Sequence, residues 1–459
     1  MIALWHSRRL APLASRGCAA LLVLQFVSAL SVALAGQQSL SVLLDKAELH
    51  KDEPAPELWD FSKNQNVVLI ILDSLQSDAV DTLHQTEQEW FDRDYAGFVF
   101  FRDNAGSFPT TKASLPAIMT GAVYRNEMPL MDFIRQAEKR ASIFELFHEH
   151  GYRTDLAGIT NLLIGTEPST RFDIPLPYGS TTERIQSEVL RLVDLSLFRF
   201  GFHGIKAWVY ADRGWRLRRL QSHPERVHHA GNGDAFLLDF AARAVATREE
   251  PVFKLIHTGG IHPPFIRGPD CEFSGVVPTN RETLIDQSRC SLRVLARLLD
   301  RMRELGIYQE SLIVVSSDHG VGVSVARLPG DTRKDRRFSL LAGKALALLM
   351  VKPAGRIGPV EVSEAPSFIG DIPATIFEQL GWEHNFPGIS AFAHAEGAKR
   401  KRQFASYPWT QADWKAPYLR KLVVYDIDGP VRKSLSWRLN RIIMAPDFFD
   451  GARDRGPQD

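Results

Sequence analysis

The chain has 459 residues, 44% of them apolar and 24% charged, with a formal net charge of +1. That length and apolar share suit a large core, arranged as one big domain or two. The near-neutral balance removes any electrostatic reason to expect nucleic acid as a partner.

In chain order, Arg8, Arg9 and Arg16 come first, and an uncharged apolar stretch over 18–35 follows. A basic start, an apolar middle and an Ala33-Leu34-Ala35 exit describe a secretory signal. The stretch is also close to the ~20 residues a membrane anchor needs. Residues 1–36 are therefore read as a signal peptide or an anchor. Both readings put the remaining chain outside the cytoplasm, in the periplasm or on the outer face of the inner membrane, because the arginines favour the inner side. Residues 37–65 are polar, include Pro54 and Pro56, and read as a linker.

The body begins with a continuous apolar run at 67–72, the pattern of a strand covered on both faces. Similar runs recur at 252–256, 312–315 and 346–351. Helical patterns lie between them, at 141–150 before Gly151 and at 286–305 before Gly306. Strands alternating with helices predict an α/β fold, a mostly parallel or mixed sheet with helices on both faces. Residues 66–400 form the expected domain, with 401–459 as an extension packed on it. Residues 196–229, rich in arginine and aromatics, fit neither period and read as an insertion that could rest on anionic lipid headgroups. Cys271 and Cys290 are the only cysteines of the body. In an oxidising compartment, 19 positions apart, they are a disulfide candidate, and two free thiols are the alternative.

Active sites in such sheets gather at the carboxyl ends of the strands. The first run ends in Asp73, the third is followed by Asp318-His319, and the second ends in His257 with His262 shortly after. Carboxylate oxygen with imidazole nitrogen suits zinc or manganese, and magnesium or calcium in a mixed site. A metal between carboxylates suggests a nucleophile beside it. Residues 104–121 offer Ser107, Thr110, Thr111, Ser114 and Thr120 before turning helical. Chemistry alone does not choose among these hydroxyls.

Taken together, "NVVLIILDSLQSD", "TKASLPAIMTG", "LIHTGGIHPPF", "SSDHG" and "FIGDIPATIFEQLG" resemble, in that order, the alkaline phosphatase superfamily in its sulfatase-like branch. The nearest look is to membrane phosphoethanolamine and phosphoglycerol transferases such as lipoteichoic acid synthase. The resemblance spans about residues 66–390. It implies Asp73, Thr111, Asp318 and His319 as ligands of one divalent cation. Thr111, five residues before Pro116, is the implied nucleophile, and His262 the implied substrate-side histidine. His257, Lys112 and Lys344 are the further expected substrate contacts. The chain departs from true sulfatases, whose Cys/Ser-x-Pro-x-Arg motif is converted to formylglycine. The matching stretch here is Thr111-Lys112-Ala113-Ser114-Leu115, which disfavours sulfate esters. It departs from the phosphoethanolamine transferases in having no histidine downstream in 321–344, where Arg327, Arg333, Arg336 and Arg337 stand instead.

The expected function is an extracytoplasmic, metal-dependent phosphotransferase or phosphodiester-cleaving enzyme. A phospholipid or envelope glycan is its substrate, and the chain is membrane-associated. A phosphodiesterase or sulfatase-type hydrolase is the alternative, and a non-catalytic domain binding lipid or a partner protein is the second.

Overall fold

A computed structural model describes residues 54–158, 168–211, 215–221, 223–326, 335–408, 410 and 416–446. The expected signal or anchor, most of the expected linker, Arg327 and Arg333 lie outside the described residues.

Strand β1 (Asn66–Leu72) is buried along its whole length, because apolar side chains alternate between two covered faces. Val68, Ile70 and Leu72 join one core, and Val67, Leu69 and Ile71 join the other. The remaining strands of its sheet are β2 (Val99–Phe101), β3 (Arg153–Gly158), β4 (Thr170–Asp173), β5 (Val252–Thr258), β6 (Leu312–Ser316), β7 (Leu349–Lys352) and β8 (Glu361–Ser363). The order is β8-β2-β7-β6-β1-β5-β3-β4. β1 pairs in parallel with β5 and β6, and β3 with β5 and β4. β7 runs antiparallel to both its neighbours. The sheet is therefore mostly parallel with one reversed strand, an α/β architecture.

Helices α1 (Thr111–Thr120), α2 (Ile143–Glu149), α3 (Thr181–Phe200), α4 (His203–Tyr210), α5 (His229–Arg243), α6 (Arg281–Glu304), α7 (Arg336–Ala345) and α8 (Ile372–Gln379) complete the elements used below. α5 and α6 cover one face of the sheet through Phe236, Phe240, Leu292 and Leu299. α1, α2 and α8 cover the other through Leu115, Ile118, Phe144, Phe147 and Phe377. A separate antiparallel sheet of β9 (Lys401–Ser406), β10 (Lys421–Asp428) and β11 (Trp437–Met444) follows. It packs Ala405, Leu422 and Val424 with Phe108 and Ala113 beside α1.

Three sequence readings need correction. Residues 56–62, assigned to the linker, form a 3-10 turn and a short strand, and Leu58, Trp59 and Phe61 enter the main core. The body accordingly starts at Ala55. The segment 196–229 is helical over much of its length, in the end of α3, in α4 and in two 3-10 turns. Its period was hidden because the apolar stripe of α3 begins upstream of 196. The run at 346–351 becomes a strand only from Leu349, after the helix α7 has closed with Ala345.

Candidate functional site

β1, β5 and β6 lie side by side and end at one rim, so the residues that follow them meet. Asp73 leaves β1 and its N–H donates to the Thr258 carbonyl at 3.0 Å. Ser74 then takes φ of +65°, a left-handed conformation uncommon outside glycine. That turn lets Ser74 Oγ donate to Asp73 Oδ1 (2.7 Å) and Ser74 N–H donate to Asp318 Oδ1 (3.1 Å). One local kink thereby ties the first carboxylate to the second across 244 residues.

Asp318 and His319 follow β6 by a single bridging serine. His319 Nδ1 lies 3.0 Å from the Gly320 carbonyl, which can only accept, so that nitrogen carries the proton. Nε2 is left with its lone pair, 3.4 Å from Asp318 Oδ2 and 3.8 Å from Asp73 Oδ1. Asp318 is fully buried and its Oδ2 has no hydrogen-bond partner. A buried carboxylate oxygen without a partner is costly. Three converging ligand atoms, one of them such an oxygen, fit a divalent cation held by Asp73, Asp318 and His319. Gly320 is needed because a side chain there would collide with the Gly343 carbonyl, 1.9 Å from the position of its Cβ.

Thr111 opens α1, with Thr110 as the N-cap residue. Its Oγ1 stands 3.5 Å from Asp73 Oδ2. Three of the competing hydroxyls are engaged elsewhere, and the fourth, Ser107 Oγ, is buried without a partner. Thr110 bonds the Tyr407 hydroxyl, Ser114 donates to the Phe108 carbonyl at 3.1 Å, and Thr120 donates to the Pro116 carbonyl at 2.7 Å. Ser107 is wholly buried. Lys112 follows Thr111 in the first turn, and burial pulls its ammonium below the ordinary lysine value.

The loop after β5 crosses the end of β1. Gly260, at φ of +39°, permits this, since a Cβ there would sit 2.8 Å from the Asp73 nitrogen. Ile261 N–H donates to the Asp73 carbonyl at 2.8 Å, which fixes the approach of His262. His262 Nδ1 is 2.8 Å from the Pro263 carbonyl, leaving Nε2 for other partners. Behind the loop, Ser291 Oγ lies within hydrogen-bond reach of two acceptors, the Gly260 carbonyl (3.1 Å) and Asp234 Oδ1 (3.2 Å), while Arg267 pairs with Asp234 at 2.9 Å. Cys271 and Cys290 form a disulfide, with Cα atoms 5.3 Å apart, that fastens the same loop to α6.

His257 lies in β5, opposite Ile71 and Gly158, one residue before the strand end at which the sequence reading had placed it. It is buried and neither ring nitrogen has a hydrogen-bond partner. Lys344 sits in the last turn of α7, its carbonyl accepting from Gly320 N–H at 3.0 Å and its stem lying against Gly322. Arg336 and Arg337 are exposed in the first turn of α7. Burial pushes the Asp73 carboxyl up, but His262, His319 and His257 together with the Ser74 hydrogen bond hold it below the ordinary aspartate value.

Sequence reasoning missed His229. It begins α5, and its ring centroid lies 4.7 Å from that of His262. Burial, then His262 and His257, hold it below the ordinary histidine value against the pull of Asp73. The signal was present as a His228-His229 pair just before a helical pattern, but it fell inside the segment read as an insertion.

The Sulfatase family model matches residues 65–382. Among solved structures, the chain is similar to the phosphonate monoester hydrolase SpPMH from Silicibacter pomeroyi, at 18% identity and a TM-score of 0.48, over 80% of this chain and 87% of that one. It is similar to the lipoteichoic acid synthase LtaP from Listeria monocytogenes at 9% identity and a TM-score of 0.44, over 83% and 90%. A 2-O GAG sulfatase is similar at 12% identity and a TM-score of 0.48, over 80% and 81%. No curated protein sequence matches the chain significantly. With its family model covering most of its length, the chain belongs to the sulfatase family.

Proposed function

We propose that the chain is an extracytoplasmic phosphotransferase or phosphodiester-cleaving enzyme with Thr111 as its nucleophile, acting on lipid or envelope-glycan headgroups. Residues 1–36 serve in this reading as its signal or anchor. The observation that carries it is the aim of one hydroxyl. Of the five in 104–121, Thr111 Oγ1 faces the carboxylate cluster, Thr110, Ser114 and Thr120 bond other groups, and Ser107 is wholly buried. The missing Cys/Ser-x-Pro-x-Arg motif favours phosphorus over sulfur as the electrophile.

Asp73, Asp318 and His319 would hold the cation. When bound, it would ease deprotonation of a nearby hydroxyl and offset charge developing on the phosphoryl oxygens. Thr111 Oγ1, its proton lost, attacks phosphorus, and the bond from phosphorus to the leaving oxygen breaks. His262 has Nδ1–H committed to Pro263. In its protonated form it therefore presents Nε2–H to the leaving oxygen. An acceptor hydroxyl or water then gives its proton back to His262, attacks phosphorus and frees Thr111. The backbone N–H groups that open α1 at Thr111 would suit the anionic oxygens of the substrate.

The test is to incubate the enzyme with a phosphodiester donor, quench, and map the adduct by peptide mass. The adduct should sit on Thr111. Thr111→Ala should lower turnover by at least ~10³-fold, since only binding and polarisation remain. Thr110→Ala and Ser114→Ala should keep most activity. An adduct on Thr110 or Ser114, or full activity in Thr111→Ala, contradicts the assignment.

A further inference from the structure

α3 is built inside out. Ile185, Val189, Leu192 and Phe200 recur at helical spacing and form one apolar stripe. That stripe faces outward: Leu192 is 61% exposed and Phe200 75%. The polar side is the one turned inward. Asp194, on the opposite side of the helix, is 1% exposed and accepts from the N–H groups of Leu217 and Arg218 at 3.0 and 3.1 Å. Ser187, on that same side, accepts from Gln221 Nε2 at 3.0 Å. The Ser180 capping box with Glu183 starts the helix, so its 20 residues make a rod about 30 Å long. Beyond its end, Phe202 and Trp208 extend the exposed apolar surface.

Charge accompanies this surface. Residues 181–220 hold eight Arg or Lys against four Asp or Glu, a net +4 in a chain whose total is +1. Several of these cations lie beside aromatic rings. Arg216 is 4.8 Å from the centroid of Trp208, Lys206 5.8 Å from Phe198, and Arg199 5.8 Å from Phe200. A core-facing helix would bury the stripe, and a solvated helix would not carry it. Exposed hydrocarbon edged by cations and amphipathic aromatics fits the region of a bilayer where acyl chains meet anionic headgroups. The chain also carries the uncharged apolar stretch 18–35 behind three arginines, a second feature of its sequence suited to a membrane.

We infer that α3 and α4 form a docking surface for an anionic lipid bilayer, with the stripe from Ile185 to Phe200 in the headgroup–acyl boundary and Arg199 and Lys206 at the lipid phosphates. The surface stands on its own geometry and does not rest on the Thr111 chemistry. It would hold the enzyme on the membrane through a contact separate from residues 1–36.

Carbene footprinting of the full chain tests it. The chain is labelled in detergent, in vesicles of phosphatidylcholine alone, and in vesicles with about three-tenths phosphatidylglycerol. Labelling of peptides from 181–200 should fall several-fold on the anionic vesicles relative to the other two, and high salt should reverse part of the fall. Leu192→Glu combined with Phe200→Glu should remove the protection. Arg199→Ala with Lys206→Ala, which leaves the stripe intact, should remove the preference for anionic lipid. Equal labelling in all three conditions overturns the inference, as does equal protection on neutral and anionic vesicles. Protection in detergent that grows with protein concentration would assign the face to a second copy. Protection in detergent at every dilution would assign it to another segment of the chain. Either result also overturns the inference.

Discussion

Asp155, in β3, and Asp318, just beyond the end of β6, are both fully buried carboxylates, and their charges are met in opposite ways. Asp155 receives Lys254 Nζ of β5 at 2.6 Å and Arg153 Nε at 3.3 Å. Lys254 gives a further hydrogen bond to the Leu58 carbonyl at 2.8 Å. This charge is answered within the protein. Asp318 spends one oxygen on the N–H groups of Ser74 and His319 and leaves the other without a partner, facing the bare Nε2 of His319. The difference separates a structural ion pair from a set of side chains suited to a cation. A buried charge alone does not mark function; a buried charge whose remaining lone pairs converge with those of other ligands does.

The largest effect should come from breaking the closed case. Asp155→Ala leaves the Lys254 ammonium buried without its partner, and burial already pulls that group below the ordinary lysine value despite Asp155. Urea unfolding should show a loss of about 3–5 kcal/mol. A loss under ~1 kcal/mol would erase the distinction, since the paired carboxylate would then matter no more than a surface one.

A third carboxylate sharpens the comparison at smaller scale. Glu138 is largely buried, its Oε2 has no partner, and burial pushes its carboxyl up to about 7 from 4.5. Between pH 4.5 and about 7 the folded state keeps a proton that the unfolded chain has released. Stability should therefore be full below pH 4.5 and decline as pH rises through about 7. Glu138→Gln should remove that decline and gain about 1 kcal/mol at pH 8, the full shift being reduced by solvent reaching part of the side chain. Among the described residues Glu138 belongs to no cluster of converging metal-ligand atoms, so the substitution should leave metal content unchanged. An identical pH profile in the variant would contradict the burial argument.

Much of the site was legible because strand ends are marked in sequence. An apolar run followed by Asp73, and another followed by Asp318-His319, needs only the rule that parallel strands deliver their carboxyl ends to one rim. The adjacency of β1 to β5 and β6 was not readable, nor was the kink at Ser74, because a serine carries no sign that it will take a positive φ. Thr111 and Thr110 look alike in sequence. The resemblance separates them by the spacing to Pro116, and the structure does so through Tyr407, nearly 300 residues away, which bonds Thr110, and Asp73, which Thr111 faces. Residues 56–62 passed for linker because Pro54 and Pro56 flagged a loop, whereas the burial of Trp59 and Phe61 depends on tertiary partners. The stripe of α3 was obscured by charges that a search for a buried face treats as interruptions, while here the buried face is the polar one.

In the proposed site Asp318 is a metal ligand and not a structural acid. Elemental analysis of the purified full chain, beside Asp318→Asn and Asp73→Asn with folding checked by circular dichroism, tests this most directly. One equivalent of a divalent metal is predicted in the unaltered protein, with most of it lost from each variant while the fold persists, because a neutral amide binds a divalent cation poorly. Undiminished metal in both variants would contradict the site.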